Sequence, residues 1–377
     1  MNFTKDDTLK VKGSAIILML IHHCFLAPDR YKGQAVIFYP FTEQLVNYFA
    51  LAMKICVALF TFLSAYGIFM SYKKKSQMLL LTVKDIHSEM ARRTTTLLGG
   101  YVFVFFLVQL YSVLIIRGGR YAKIYGHGIK SALYFLIDSL GLAELFRTPT
   151  FLATFWYLSL ALVIIALMPI LIAFYKRFGT VSLLSMSVLC AVFFPVSSKC
   201  TFAYLPHYAF CVALGIATAD HNWLCQFRDW KPAGARGIGK MLKATLILVF
   251  ITLFLYWRQV TRYTPLLPIW DGVVSFLTIA LMFEFINPIP LLGNSLKFLG
   301  IHSMNVFLIH NFVRVVWYYK FTYSFKYAWL IVIVLLAVSS LLSVCIEWLK
   351  NILGYSAMIG NLRNKAAAMA AKKEKIG

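Results

Sequence analysis

An all-α fold, a polytopic transmembrane helical bundle of about ten helices, is what this sequence predicts, on three observations. Hydrophobic residues make up 60% of the 377 positions and charged ones only 14%, with a mean hydropathy of +0.75, far from the composition of a soluble globular domain. Apolar stretches long enough to cross a bilayer core of about 30 Å recur from one end of the chain to the other. Lys and Arg gather in the short connections between them, as positive-inside topology requires.

The apolar windows fall at 12–27, 46–72, 96–116, 152–174, 180–197, 202–219, 241–257, 269–287, 298–318 and 327–349. The first opens at Lys12 in KGSAIILMLIHHCF, and its leader MNFTKDDTLKVKG has no small-residue cleavage site, so this window is expected to stay as a span. The second and third flank a basic connection holding Lys73, Lys74, Lys75, Lys84, Arg92 and Arg93. The fifth and sixth are separated only by VSSKC, and the eighth runs into the Pro-containing INPIPLLGN. With the N-terminus inside, about 23 of the 37 basic residues are cytoplasmic and about 12 are outside. Both termini are then expected in the cytoplasm, with the protein in the cell (inner, cytoplasmic) membrane. The segment from Arg117 to about Thr150 is the long outer connection, and its YFLIDSLGLAEL reads as an interfacial helix able to roof an outward cavity. No internal repeat or appended soluble domain is apparent: residues 1–350 read as one membrane domain and 351–377 as a basic cytoplasmic tail.

The net charge of +23 would point to nucleic acid in a soluble chain. Here it is topogenic charge, and the expected surroundings are membrane lipids, with no nucleic-acid partner. The seven cysteines form no CxxC pair, are odd in number and mostly sit in apolar runs. No disulfide framework, zinc site or other metal is expected.

Chemistry in such a chain must come from polar groups at membrane depth, where an unpaired one is costly. His22 and His23 end the first window. At about 100° per residue, the eleven steps from Lys12 bring His23 back to within roughly 20° of the same face, whereas His22 misses it by about 80°. Lys12 and His23 would stand roughly 16 Å apart along the axis, the two ends of one polar channel. Lys12 suits a phosphate, and His23 suits taking a proton from a hydroxyl. Arg92 and Arg93 offer further phosphate donors, Arg93 adjoining the third window. The ninth window, LGIHSMNVFLIHNFVRVVWYY, carries His302, Asn305, His310 and Arg314, with His310 and Arg314 as an i,i+4 pair on one face. Such a concentration reads either as an aqueous cavity or as an interhelical hydrogen-bond network. Lys54 and Asp271 are expected to neutralise one another from different helices. Trp156-Tyr157 and Trp317-Tyr318-Tyr319 read by position as interface belt.

These motifs resemble acyltransferase family 3, integral-membrane enzymes that O-acylate bacterial surface glycans. Lys12 and His23 are similar to the family's basic residue, ten residues, then histidine. TFLSAYGIFMSYKKK, FWYLSLALVIIALMPIL and LGIHSMNVFLIHNF resemble its second-span, fourth-span and late Leu-Ile-His segments. The departures are Lys12 for the usual Arg, Ser64-Ala65-Tyr66 for Ser-Gly-Tyr/Phe, Ala58 in place of an acid, and Arg93 with Thr96 for a cytoplasmic Arg-x-x-Arg.

The resemblance implies a membrane O-acyltransferase, with acetyl-CoA as the expected acyl-CoA donor and a hydroxyl of a cell-surface or lipid-linked glycan as acceptor. His23 is then the expected base, with His310 orienting the acceptor or stabilising the oxyanion. Lys12, Arg92 and Arg93 would hold the donor phosphates, and Arg314 and Trp156 are the candidates for contacting the substrate. The competing reading from the residues alone is a secondary transporter or exporter with a buried His23, His310, Arg314, Lys54 and Asp271 relay. A further one is a membrane acyltransferase of another class, acting on lipid or protein.

Overall fold

The computed structural model describes residues 2–78, 83–115, 120–194, 204–232 and 237–372. The side chains of Lys75 and Lys84, together with Arg117, Arg236, the VSSKC connection and the last five residues, lie outside what is described. Among the described residues the fold is helical, with one isolated bridge between Ile37 and Tyr327. In chain order the helices are α1 (Lys5–Phe25), α2 (Glu43–Ala52), α3 (Ile55–Met78), α4 (Val83–Ile115), α5 (Tyr121–Tyr125), α6 (Ile129–Ser139), α7 (Ala143–Phe146), α8 (Trp156–Phe193) and α9 (Tyr204–His221). They continue as α10 (Trp223–Asp229), α11 (Ile238–Val260), α12 (Leu267–Leu281), α13 (Pro290–Ile301), α14 (Ser303–Asn311), α15 (Tyr319–Tyr323), α16 (Ala328–Ile352) and α17 (Tyr355–Lys372).

Among the described residues, seven helical stretches are long and apolar enough to cross a membrane, and α13 with the helix after it, bent by 67°, makes an eighth when the pair is counted as one broken span. The expected ten differs for identifiable reasons. Windows four and five fuse into α8, whose 38 residues would be about 57 Å if straight, far more than one bilayer core. Gly179 breaks it, with φ 80° and ψ −177°. Window six becomes α9, an interior helix with most positions buried, including the polar His207 and Thr218. Window nine is not one straight span: it breaks at His302, and after Asn311 it widens into a π-helix over Phe312–Trp317.

α1 lies at the centre and is locked by its own sequence. Thr4 caps it reciprocally with Asp7, donating its backbone N–H to the carboxylate at 2.9 Å and accepting the Asp7 N–H at 3.2 Å. Asp6 pairs with Lys297 at 2.7 Å, and Asp7 accepts from Asn287 at 3.0 Å. Two glycines then let α1 and α13 touch backbone to backbone. A Cβ on Gly13 would collide with the Leu296 carbonyl, and one on Gly300 with the Leu9 carbonyl. Neither helix can slide along the other without opening that contact.

The long outer connection is folded, not loose. The buried Asp138 of α6 accepts from the Tyr125 hydroxyl at 2.6 Å, the Thr150 hydroxyl at 2.9 Å and the Phe151 N–H at 2.6 Å. Burial nonetheless pushes its carboxyl up from the ordinary value. Ser159 donates to the Gly141 carbonyl, fastening this connection to the first turn of α8. At the other end of the chain, the segment read as a tail forms α17, where the Tyr355 ring packs at a tilt against Phe103, centroids 4.7 Å apart, and its hydroxyl donates to the Gly99 carbonyl at 2.8 Å.

Candidate active site

A cavity with about 1060 Å³ of empty space, partly open to solvent, runs along α1. Lys12 and His23 both line it, and so does His22, which helical phase turns about 80° away from them. Across from them stand Lys54, Ser64, Trp156, Tyr157 and Ser303. Ser64 lies within α3, and the other four are each delivered by a local break or start. Lys54 occupies the gap between α2 and α3, Trp156 and Tyr157 open α8 where the outer connection is fastened, and Ser303 follows the bend at His302.

The ionisable groups of α1 divide sharply by partner. Lys10 donates to the Asn287 carbonyl at 2.9 Å, whereas Lys12, two residues on, has no hydrogen-bond or ion-pair partner among the described residues. His22 is buried and its Nδ1–H donates to the Ala50 carbonyl at 2.9 Å. His23 makes no hydrogen bond among the described residues and faces the cavity.

His310 stands behind His23 with ring centroids 5.0 Å apart, fully buried, and does not line the cavity. Its Nδ1 lies 3.1 Å from the Val306 carbonyl and 2.8 Å from that of Phe307. Carbonyls only accept, so Nδ1 carries the proton, and in the neutral ring Nε2 is an acceptor; that atom is buried without a partner. Arg314 is not in the cavity either. The π-helical turn directs it to Asn311 Oδ1 at 2.9 Å and the Tyr323 hydroxyl at 3.3 Å, and Tyr323 donates to the Cys24 carbonyl at 3.1 Å. Arg314 therefore braces the end of α1 beside His23.

His302 and Asn305 belong to neither group. His302 bonds Ser343 at 2.8 Å, and Asn305 donates to Ser343 and Glu347, with Lys350 closing the network from α16. The four polar residues of window nine thus split: two tie α14 to α16, and two support α1.

Arg93 donates to Glu89 at 2.9 Å, the Gly67 carbonyl at 3.1 Å and Ser71 at 2.7 Å. It does not line the cavity, but its charge acts on Lys12 and makes that end basic. Arg92 is exposed and also outside the lining. Trp156 does line it and stacks on Tyr204 at 4.2 Å, a role the interface-belt reading missed.

The expected Lys54–Asp271 pair does not form. Asp271 is fully buried and held by Arg258 and by His207 Nε2 at 2.9 Å, leaving Lys54 without an ion-pair partner among the described residues. Arg258 reaches Asp271 because α11 and α12 pack side by side across a short turn, a proximity that hydropathy windows do not encode.

Compared with curated proteins and with solved structures, the chain matches none. A family comparison does match: the acyltransferase domain model of acyltransferase family 3 covers residues 11–348, which takes in most of α1, the whole cavity lining and most of α16. A polytopic helical bundle with a basic group and a histidine at opposite ends of one cavity is in keeping with that match. The chain belongs to acyltransferase family 3 and is a membrane-embedded acyltransferase.

Proposed function

We propose that the enzyme takes an acyl group from acyl-CoA, with acetyl-CoA as the donor to test first, and transfers it to a glycan hydroxyl. The observation that carries this reading is that Lys12 and His23, each without a protein partner, line one cavity from opposite ends. An unpaired cation in a largely apolar cavity is costly unless a ligand anion compensates it. The donor phosphates dock at the Lys12 end, strengthened by the field of Arg93, and the thioester extends toward His23.

His23 accepts the proton of the acceptor hydroxyl as its oxygen attacks the thioester carbonyl. A C–O bond forms, the C–S bond breaks, and the departing thiolate takes the proton back from His23 to leave as the free thiol. His310 is a positioning residue: its buried ring lies against that of His23, centroids 5.0 Å apart, and limits where the base can sit, while the proton on its Nδ1 leaves Nε2 an acceptor. The same tautomer gives Nε2 no proton to donate to an oxyanion. The cytoplasmic placement of the Lys12 end follows from the distribution of basic residues.

Purified protein in detergent is expected to gain thermal stability from acetyl-CoA in the wild type and to lose most of that gain in Lys12→Met. Membranes carrying His23→Ala are expected to lose a one-acetyl mass increment from their surface glycans. A transporter would show neither effect.

A further inference from the structure

A second cavity, with about 1240 Å³ of empty space and also partly open, adjoins the first at its His23 end. It lies among the ends of α8, α9, α11 and α12, and the two cavities share Lys54. Their partition is aromatic. Trp156 faces the first cavity and stacks on Tyr204 at 4.2 Å and, more distantly, on Tyr208 at 6.2 Å, both of which face the second.

The polar groups of this second cavity are placed for a ligand and not for one another. Gln259 is 8% exposed and His207 is 5% exposed. The Gln259 amide nitrogen and His207 Nδ1 are buried without partners, although both residues line the cavity. His207 gives its Nε2–H to Asp271, so in the neutral ring Nδ1 is a free acceptor for a hydroxyl. Gln259 offers a free N–H donor. Arg262 sits at the rim over the Tyr263 ring, 4.7 Å from its centroid. Neither it nor Lys54 has an ion-pair partner among the described residues, and the nearby carboxylate, Asp271, is already engaged by Arg258 and His207. The cavity therefore combines unspent cations, one donor, one acceptor and an aromatic face.

The geometry points to this cavity as the acceptor site, selective for a sugar that carries an anionic group, carboxylate or phosphate. Lys54 and Arg262 take the anion, Gln259 and His207 take hydroxyls, and Tyr204 takes the face of the ring. The assignment rests on the acyltransferase reading above, since only there does an acceptor need to reach His23 past Lys54.

The test uses the full-length protein in detergent and reads thermal protection by glucuronic acid, glucose 1-phosphate, glucose, inorganic phosphate and, separately, acetyl-CoA. Protection by glucuronic acid alone assigns a carboxylate sugar, and protection by glucose 1-phosphate alone assigns a phosphorylated one. In either case Arg262→Ala and Gln259→Leu are expected to raise the half-saturating concentration about tenfold, and Arg262→Lys to recover most of it. Equal protection by glucose, protection by inorganic phosphate as strong as by the sugars, no protection by any sugar, or an unchanged response in both variants overturns the assignment. If acetyl-CoA protects while the sugars do not, the acceptor site alone fails. If the sugars protect while acetyl-CoA does not, the donor reading fails and this one stands.

Discussion

Two pairs of like residues on the same helix behave oppositely in this molecule. In one, Lys10 and His22 are each consumed by a backbone carbonyl, Asn287 and Ala50 respectively. In the other, Lys12 and His23 line a cavity, which His22 also borders, and make no hydrogen bond among the described residues. The residue types are identical and the positions differ by one or two, so chemistry here is assigned by what the neighbouring helices leave unsatisfied. A buried polar group whose partner is the protein itself stabilises the fold, and one without a partner costs stability unless a ligand meets it.

The sharpest way to break this contrast is at the histidines. His23→Gln is expected to lower acyl transfer about a thousandfold, within the usual range for removing a general base, while its melting temperature stays within a few degrees of the parent. A variant that kept the parental rate would remove His23 from the chemistry. Next comes Lys12→Met, expected to raise the KM for acetyl-CoA about tenfold with a smaller effect on kcat, as loss of one phosphate contact should. Lys12→Arg is expected to bring KM back to within about threefold of the parent, because the charge is retained and bidentate donors are added.

The partnered pair should respond in stability instead. His22→Phe leaves the Ala50 carbonyl without its donor and is expected to cost about 1–2 kcal/mol in denaturation, with a rate loss well under that of His23→Gln. Lys10→Met is the smallest change, about 1 kcal/mol or less, and its acyl-transfer rate should match the parent. A Lys10 variant that raised the acetyl-CoA KM as much as the Lys12 variant would erase the distinction between the two pairs.

What the sequence made legible is the part governed by local geometry. The helical membrane bundle and the placing of Lys12 and His23 along one cavity follow from 3.6-residue periodicity and composition, whereas His22 lines that cavity too and differs from His23 by its bond to the Ala50 carbonyl. What it hid depends on which helices become neighbours. The Asp271 partner switches from Lys54 to Arg258 and His207 because of how α11, α12 and α9 pack. Arg314 leaves the His310 face because a π-turn intervenes, and the straight ninth window is bent at His302 because α13 is drawn onto α1 while α14 is tied to α16. The second cavity was invisible for the same reason: His207, Gln259 and Arg262 come from two helices and a turn, with no shared spacing in the chain.

The glycine contacts that hold α1 against α13 have a consequence for selectivity. Because Lys12 and His23 share one α-helix, its rise fixes the interval between them, and Gly13 and Gly300 hold that helix in place by backbone and not by adjustable side chains. On the proposed reading α1 is a ruler: it admits donors whose anionic end and reactive carbonyl are separated by a long flexible arm, and it leaves the carbonyl of a compact acyl phosphate stranded far from the base. Replacing Gly300 with Ala would push α13 off α1 and leave the spacing of the ruler itself unchanged.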